Sequence, residues 1–172
     1  GMVQFEMGNI AAAQSNFNKA NSMSANNPVV QNNLGAVALK NGDLKQAEIY
    51  FGAATGAGDE VNYNKGIVAI KSGDYAAAVN YFGQCNCVNA ALANVLAGNN
   101  NEALKKLNAE NKECPMSYYL KAVIGARTND ATAVIENLRK ACSLDDSFKQ
   151  LAATDMEFAK FFENNDFIAI TK

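Results

Sequence analysis

Small and apolar residues recur along this chain in a fixed phase behind a repeated polar punctuation. The punctuation is a turn residue followed by Asp or Asn: Gly8-Asn9, Gly42-Asp43, Gly73-Asp74, Gly98-Asn99 and Asn129-Asp130. Its first members stand 34, 31, 25 and 31 residues apart. Five residues further on come Ala13, Ala47, Ala78, Ala103 and Val134; nine on come Phe17, Phe51, Phe82, Leu107 and Leu138; twelve on come Ala20, Ala54, Cys85, Glu110 and Ala141. Offsets that differ by 4 and 3 share one helix face. Small, large, small on that face predicts a close helix approach around one bulky plug.

The punctuation itself has a mechanism. Gly or Asn tolerates the left-handed conformation that ends a helix. The Asp or Asn after it caps the next helix by accepting from its exposed backbone N–H groups. Gln46 and Glu102, three residues past their caps, stand where a capping box wants them. Seven residues ahead of the turns lie Gly35, Gly66, Ala91 and Ala122, always small. Pro28 and Pro115 each lie 14 residues ahead of a turn, where proline suits the first turn of a helix. Each unit is thus predicted to be an antiparallel helix pair, repeated along the chain.

Asn33-Leu34-Gly35, the Gly42-Asp43 turn, Ala47, Phe51 and Ala54 resemble a tetratricopeptide repeat, as do Gly66, the Gly73-Asp74 turn, Ala78 and Phe82. The resemblance runs from the start of the chain to about Asp146 and weakens in the fourth and fifth units. It implies an all-α, right-handed helical-repeat solenoid of about five helix pairs over residues 1–146. The 25-residue step implies a clipped first helix near 87–97 and a local change of pitch. Residues 147–172 read as a C-terminal cap. Phe148, Phe158, Phe161, Phe162 and Phe167 crowd there among charged residues, as an amphipathic helix covering the last apolar face requires. The chain opens partway through the first helix of its first unit, at Val3-Gln4-Phe5. Gly1 reads as foreign to the natural sequence. The expectation is a fragment of a larger protein with an uncapped N-terminal face carrying Phe5, Ile10 and Phe17.

Composition narrows the chemistry. The 172 residues are 49% hydrophobic and 19% charged, with a net charge of −2, a poor balance for gripping nucleic acid or an anionic membrane surface. No apolar run approaches the ~18 residues of a membrane span. There is no histidine, which removes Ser-His-Asp and Cys-His nucleophile pairs and histidine metal sites. Gly52 to Gly58 is glycine-rich but lacks the Lys-Ser/Thr of a phosphate loop and follows a helix; it reads as an inter-repeat linker. Cys85-Asn86-Cys87, Cys114 and Cys142 do not have zinc spacing. They read as small packing residues and leave the compartment open. Asp59-Glu60 and Asp145-Asp146 fall at linkers. No catalytic site, cofactor or metal is predicted.

A groove remains. The resemblance implies that the first helices of the pairs line a concave surface used for partners. Nine residues ahead of the turns stand Asn33, Asn64 and Asn89, whose amides can hold an extended peptide by its backbone; they can equally bridge neighbouring helices. Two residues ahead stand Glu6, Lys40, Lys71, Leu96 and Arg127, three of them basic, and one turn earlier the apolar Ala36, Ile67, Leu92 and Val123. Tyr63 and Tyr119 add amphipathic rings of the kind found at interfaces. Tetratricopeptide co-chaperones that clamp an acidic C-terminus use Lys and Arg where this chain has Asn32, Ala36, Glu60 and Asn64, so that sub-family is not matched. The reading is a non-enzymatic protein-interaction module. Its groove, built from Asn33, Asn64, Asn89, Lys40, Lys71, Tyr63, Ile67, Tyr119 and Arg127, takes a protein or extended peptide. The alternative is a structural spacer within a larger, bacterial, envelope-associated protein, self-associating through its uncapped N-terminal end.

Overall fold

The turn chemistry dictates the architecture of the computed structural model, which describes residues 1–110 and 113–172. Gly8, Gly42, Gly73 and Gly98 have φ of 77 to 80°, and Asn129 has φ 58°. All five turns close with the same pair of backbone bonds. The Gly42 N–H donates to Leu39 O and the Asp43 N–H to Ala38 O, at 3.1 and 2.9 Å. Gly73 and Asp74 repeat this on Ile70 and Ala69, Gly98 and Asn99 on Val95 and Asn94, Asn129 and Asp130 on Ala126 and Gly125, and Gly8 and Asn9 on Phe5 and Gln4. This is the Schellman motif, which satisfies the last carbonyls of a helix. The same Asp or Asn then caps the following helix with its side chain. Asn9, Asp43, Asp74 and Asp130 accept from the N–H three residues on, at 2.9 to 3.3 Å.

Two details depart from the sequence-based expectation. Asn99 makes no capping bond; its amide reaches the buried Asn94 Oδ1 at 3.5 Å instead. The return half of the capping box is also absent at Gln46 and Glu102, because the N–H of Asp43 and of Asn99 is already committed to the preceding helix.

The chain divides into two units, Gly1–Gly83 and Gln84–Lys172. The first unit pairs α1 (Met2–Glu6) with α2 (Ile10–Met23), α3 (Pro28–Lys40) with α4 (Leu44–Ala53), and α5 (Asp59–Ser72) with α6 (Tyr75–Phe82). The second pairs α7 (Val88–Leu96) with α8 (Asn100–Ala109) and α9 (Pro115–Arg127) with α10 (Ala131–Leu144). It ends in α11 (Ser147–Thr154), a 3₁₀ turn (Met156–Phe161) and α12 (Asn165–Thr171). Helix α7 has nine residues against 13 in α3 and α9, so the short 25-residue step falls on the first helix of its pair.

Each pair is locked by a small residue facing a plug. A Cβ on Gly35 would lie 2.5 Å from the Phe51 ring, and one on Gly66 would lie 2.7 Å from the Phe82 ring. Contacts that short do not exist between real atoms, so only glycine fits opposite phenylalanine. In the second unit the same register holds Ala91 with Leu107 and Ala122 with Leu138, all buried: a smaller plug leaves room for a methyl. Gly1 stands in this register too and faces Phe17.

The first unit builds its core from Ala13, Phe17, Leu34 and Val37, and from Phe51, Ala54, Val61 and Val68. Phe17 is buried, and Phe5 and Ile10 are half-buried against that core. They are therefore not the exposed face the sequence implied; Met2, Val3 and Met7 are exposed there instead. In the second unit one continuous core runs from Ala91 to Phe167. Phe148, Phe158, Phe161 and Phe167 are buried in it and Phe162 packs against it, carried by two short helices and a 3₁₀ turn.

Candidate functional site: the first-helix face of each unit

Positions six and two residues ahead of a turn lie one helical turn apart, so in successive pairs they stack into a wall. In the first unit that wall bounds a cleft of about 570 Å³. Helix α1 contributes Met2, Phe5 and Glu6; α3 contributes Asn33, Ala36, Leu39 and Lys40; α5 contributes Glu60, Asn64, Ile67 and Lys71; Phe17 closes it from α2. Apolar groups form the floor. Two ammonium groups and the Glu6 carboxylate sit at the turn end, and Glu60 sits in the first turn of α5.

The polar residues of the cleft differ in how they are held. Asn64 Nδ2 donates to Asn32 Oδ1 at 3.0 Å, and Asn32 Nδ2 donates to Glu60 Oε1 at 3.1 Å. Asn32 is buried, so this chain of amides pins α3 to α5 and satisfies a polar group that would otherwise be costly to bury. Asn64 thus bridges helices. Lys40, Lys71 and Asn33 make no hydrogen bond or ion pair among the described residues. They are the available donors.

Five of the nine residues proposed from the sequence therefore meet in one cleft: Asn33, Asn64, Lys40, Lys71 and Ile67. Tyr63 stands outside it, exposed, with its ring edge-on to Phe82 at 5.4 Å. Asn89 lies half-buried on α7, in the second unit.

Tyr119 and Arg127 do not join that cleft: Tyr119 is buried, and Arg127 lines a separate depression with Ala126, Met156, Glu157, Ala159 and Lys160. Both lie on α9, where the chain's own C-terminal segment covers Tyr119 and pairs with Arg127, which stays exposed. Tyr119 is 5% exposed and donates to Asp155 Oδ2 at 2.6 Å, with its ring against Phe148 and Phe158 at 5.3 and 5.6 Å. Burial, reinforced by the Asp155 carboxylate, holds its phenol far above the ordinary range. The Arg127 guanidinium is bidentate to Glu157, with Nε to Oε2 at 3.0 Å, and its third bond goes to Val95 O at the end of α7. Glu157 raises the arginine's pKa. Lys160 Nζ reaches Asn129 Oδ1 at 2.8 Å.

Spacing could not announce these contacts, because the partners are 30 and 36 residues apart. The one available signal is chemical. An arginine and a tyrosine on an inner face, followed by Asp155 and Glu157 among buried phenylalanines, are complementary. Asn32 escapes notice as a bridge for a simpler reason: its position in the repeat is filled by Tyr63 and Tyr119 in two of the other units. The cysteines are corrected in one respect. Cys85 and Cys87 are joined by a disulfide, in place of two packing thiols. Cys142 is buried, and burial pushes its thiol up.

Helix pairs joined by Schellman turns and closed by small-to-large contacts define the class, an all-α helical-repeat fold. Residues 59–89 match the family model "Tetratricopeptide repeat". Among solved structures it is similar to YrrB, described as a TPR protein with an unusual peptide-binding site. The TM-score is 0.67 at 19% identity, over 84% of this chain and 82% of that one. No curated protein matches the sequence. Among the described residues no helix is long and apolar enough to cross a membrane.

Proposed function

We propose that this chain is a non-catalytic protein-interaction module that holds an extended peptide in the first-unit cleft. One observation carries the reading. A cleft of about 570 Å³ on the first-helix wall combines an apolar floor with Asn33, Lys40 and Lys71, donors that have no partner among the described residues. Such a site suits a segment whose side chains take the floor while its backbone carbonyls meet the amide. The unusual peptide-binding site ascribed to YrrB supports a peptide as the ligand class. Ordering a flexible peptide offsets much of the contact energy, so affinity is about micromolar.

The test is selection of peptides from a random display library on the full chain, repeated with Ala36→Arg, which fills the cleft floor. Selected peptides should bind the natural chain and lose binding to the variant, whose circular-dichroism melting midpoint stays unchanged. Equal binding by both would place the site elsewhere.

A second reading rests on the other end of the unit. Val3 and Met7 are 70% and 74% exposed on and beside α1, a surface suited to self-association of a spacer block. Light scattering should then show oligomers that Val3→Glu with Met7→Glu dissolves. A monomer at all concentrations removes this reading.

A further inference from the structure

The second unit shows how a first-helix face of this chain binds a peptide segment, because its own Asp155–Phe158 stretch is seated on one. Arg127, two residues ahead of its turn, holds the Glu157 carboxylate. The next residue, Phe158, is fully buried in a core that includes Val123, six residues ahead of the same turn. The register of the repeat carries this pair of features into the first unit. Lys40 and Lys71 stand two residues ahead of their turns, and Ala36 and Ile67 stand six ahead. All four line the open cleft. The cation and the apolar seat are in place, and the segment that would fill them is not part of that unit.

We infer that the first-unit cleft recognises a short segment in which a carboxylate side chain is followed by a large apolar one, the chemistry of Glu157-Phe158. The carboxylate sits on the Lys40 and Lys71 ammonium groups and the apolar side chain rests on Ala36 and Ile67. The inference rests on the cleft being the peptide site. Acidity alone is not the signal. Glu6 and Glu60 also line the cleft, so a uniformly acidic chain meets repulsion outside the lysine pair. The recognised feature is one local carboxylate beside an anchor.

Four fluorescent hexapeptides titrated into the full chain provide the test: Asp-Met-Glu-Phe-Ala-Lys, its Asn/Gln counterpart, its Glu→Ala, Phe→Ala counterpart, and hexaglutamate. The first should bind at least tenfold tighter than the other three. Lys40→Ala with Lys71→Ala should weaken it at least tenfold, and so should a rise in salt, since exposed charge pairs are screened. Equal binding of the Asn/Gln peptide or of hexaglutamate, or indifference to the lysine substitutions, overturns the inference. The two levels separate cleanly. Binding of uncharged peptides that Ala36→Arg abolishes leaves the cleft as the peptide site and removes the carboxylate rule. Binding of none of the four, while library peptides still bind and Ala36→Arg abolishes them, does the same. Failure of every peptide, library included, removes both.

Discussion

The two units apply one repeat grammar and reach opposite outcomes at the same face. In the first, the row two residues ahead of the turns ends in Lys40 and Lys71, and a cleft lies over it. In the second, the equivalent Arg127 is spent on Glu157 and on a helix-end carbonyl, and Tyr119 is sealed under Phe148 and Phe158. The plugs differ as well: glycine faces phenylalanine in the first unit, alanine faces leucine in the second. The repeat thus fixes where a face lies. The segment beyond the last helix pair decides whether that face stays open.

The largest effect expected is at the plug. Gly35→Ala places a methyl inside the Phe51 ring contact, and overpacking of this kind costs about 1–3 kcal/mol, more than the ~1 kcal/mol that alanine gains over glycine in a helix. Urea unfolding should show net destabilisation, and Phe51→Leu added to it should restore part of the loss by recreating the alanine–leucine pair of the second unit. Additive losses would break the comparison.

Next comes the covered face. Arg127→Ala leaves Glu157 half-buried without its partner and should cost about 0.5–1.5 kcal/mol, because the two side chains are 29% and 34% exposed and water screens their charges, read as the same unfolding shift. Tyr119 adds a pH signature. Its folded pKa is raised above the ordinary value of about 10. The unfolded chain therefore releases that proton first, and the stabilisation is complete below about pH 10 and declines as pH rises above it. A Tyr119→Phe chain should lose less stability than the natural one over that alkaline range, and parallel profiles would show that Tyr119 does not couple to folding.

The smallest effect separates two caps at the same place in the repeat, one Asp and one Asn. Asp74→Ala removes a bond of 2.9 Å to the Ala77 N–H and should cost about 1 kcal/mol. Asn99→Ala removes no capping bond and should cost clearly less. Thermal melts of the two variants decide between them.

These contrasts also mark how far residues alone can be read. Turn chemistry is local: Gly or Asn must supply a positive φ and the next residue must cap, so all five hairpins are legible from adjacent pairs. The glycine–phenylalanine complement is legible too, since both members keep fixed distances from the turn. Of the site, Lys40, Lys71, Ile67, Asn33 and Asn64 emerge through register. The same register assigns Tyr119 and Arg127 to the groove, and there it misleads. Their partners Asp155 and Glu157 come from outside the repeat, where spacing carries no information. The capping-box return bond fails for a different reason, because one N–H cannot serve two helices and the Schellman turn claims it.

Amide chemical-shift mapping of the full chain with a library-selected peptide tests the central claim most directly. The largest shifts should fall on α1, α3 and α5, around Asn33, Ala36, Lys40, Ile67 and Lys71, while α9 and the segment from Asp155 to Phe161 stay still. Shifts centred on Tyr119, Arg127 and Glu157, with the first unit silent, would contradict it.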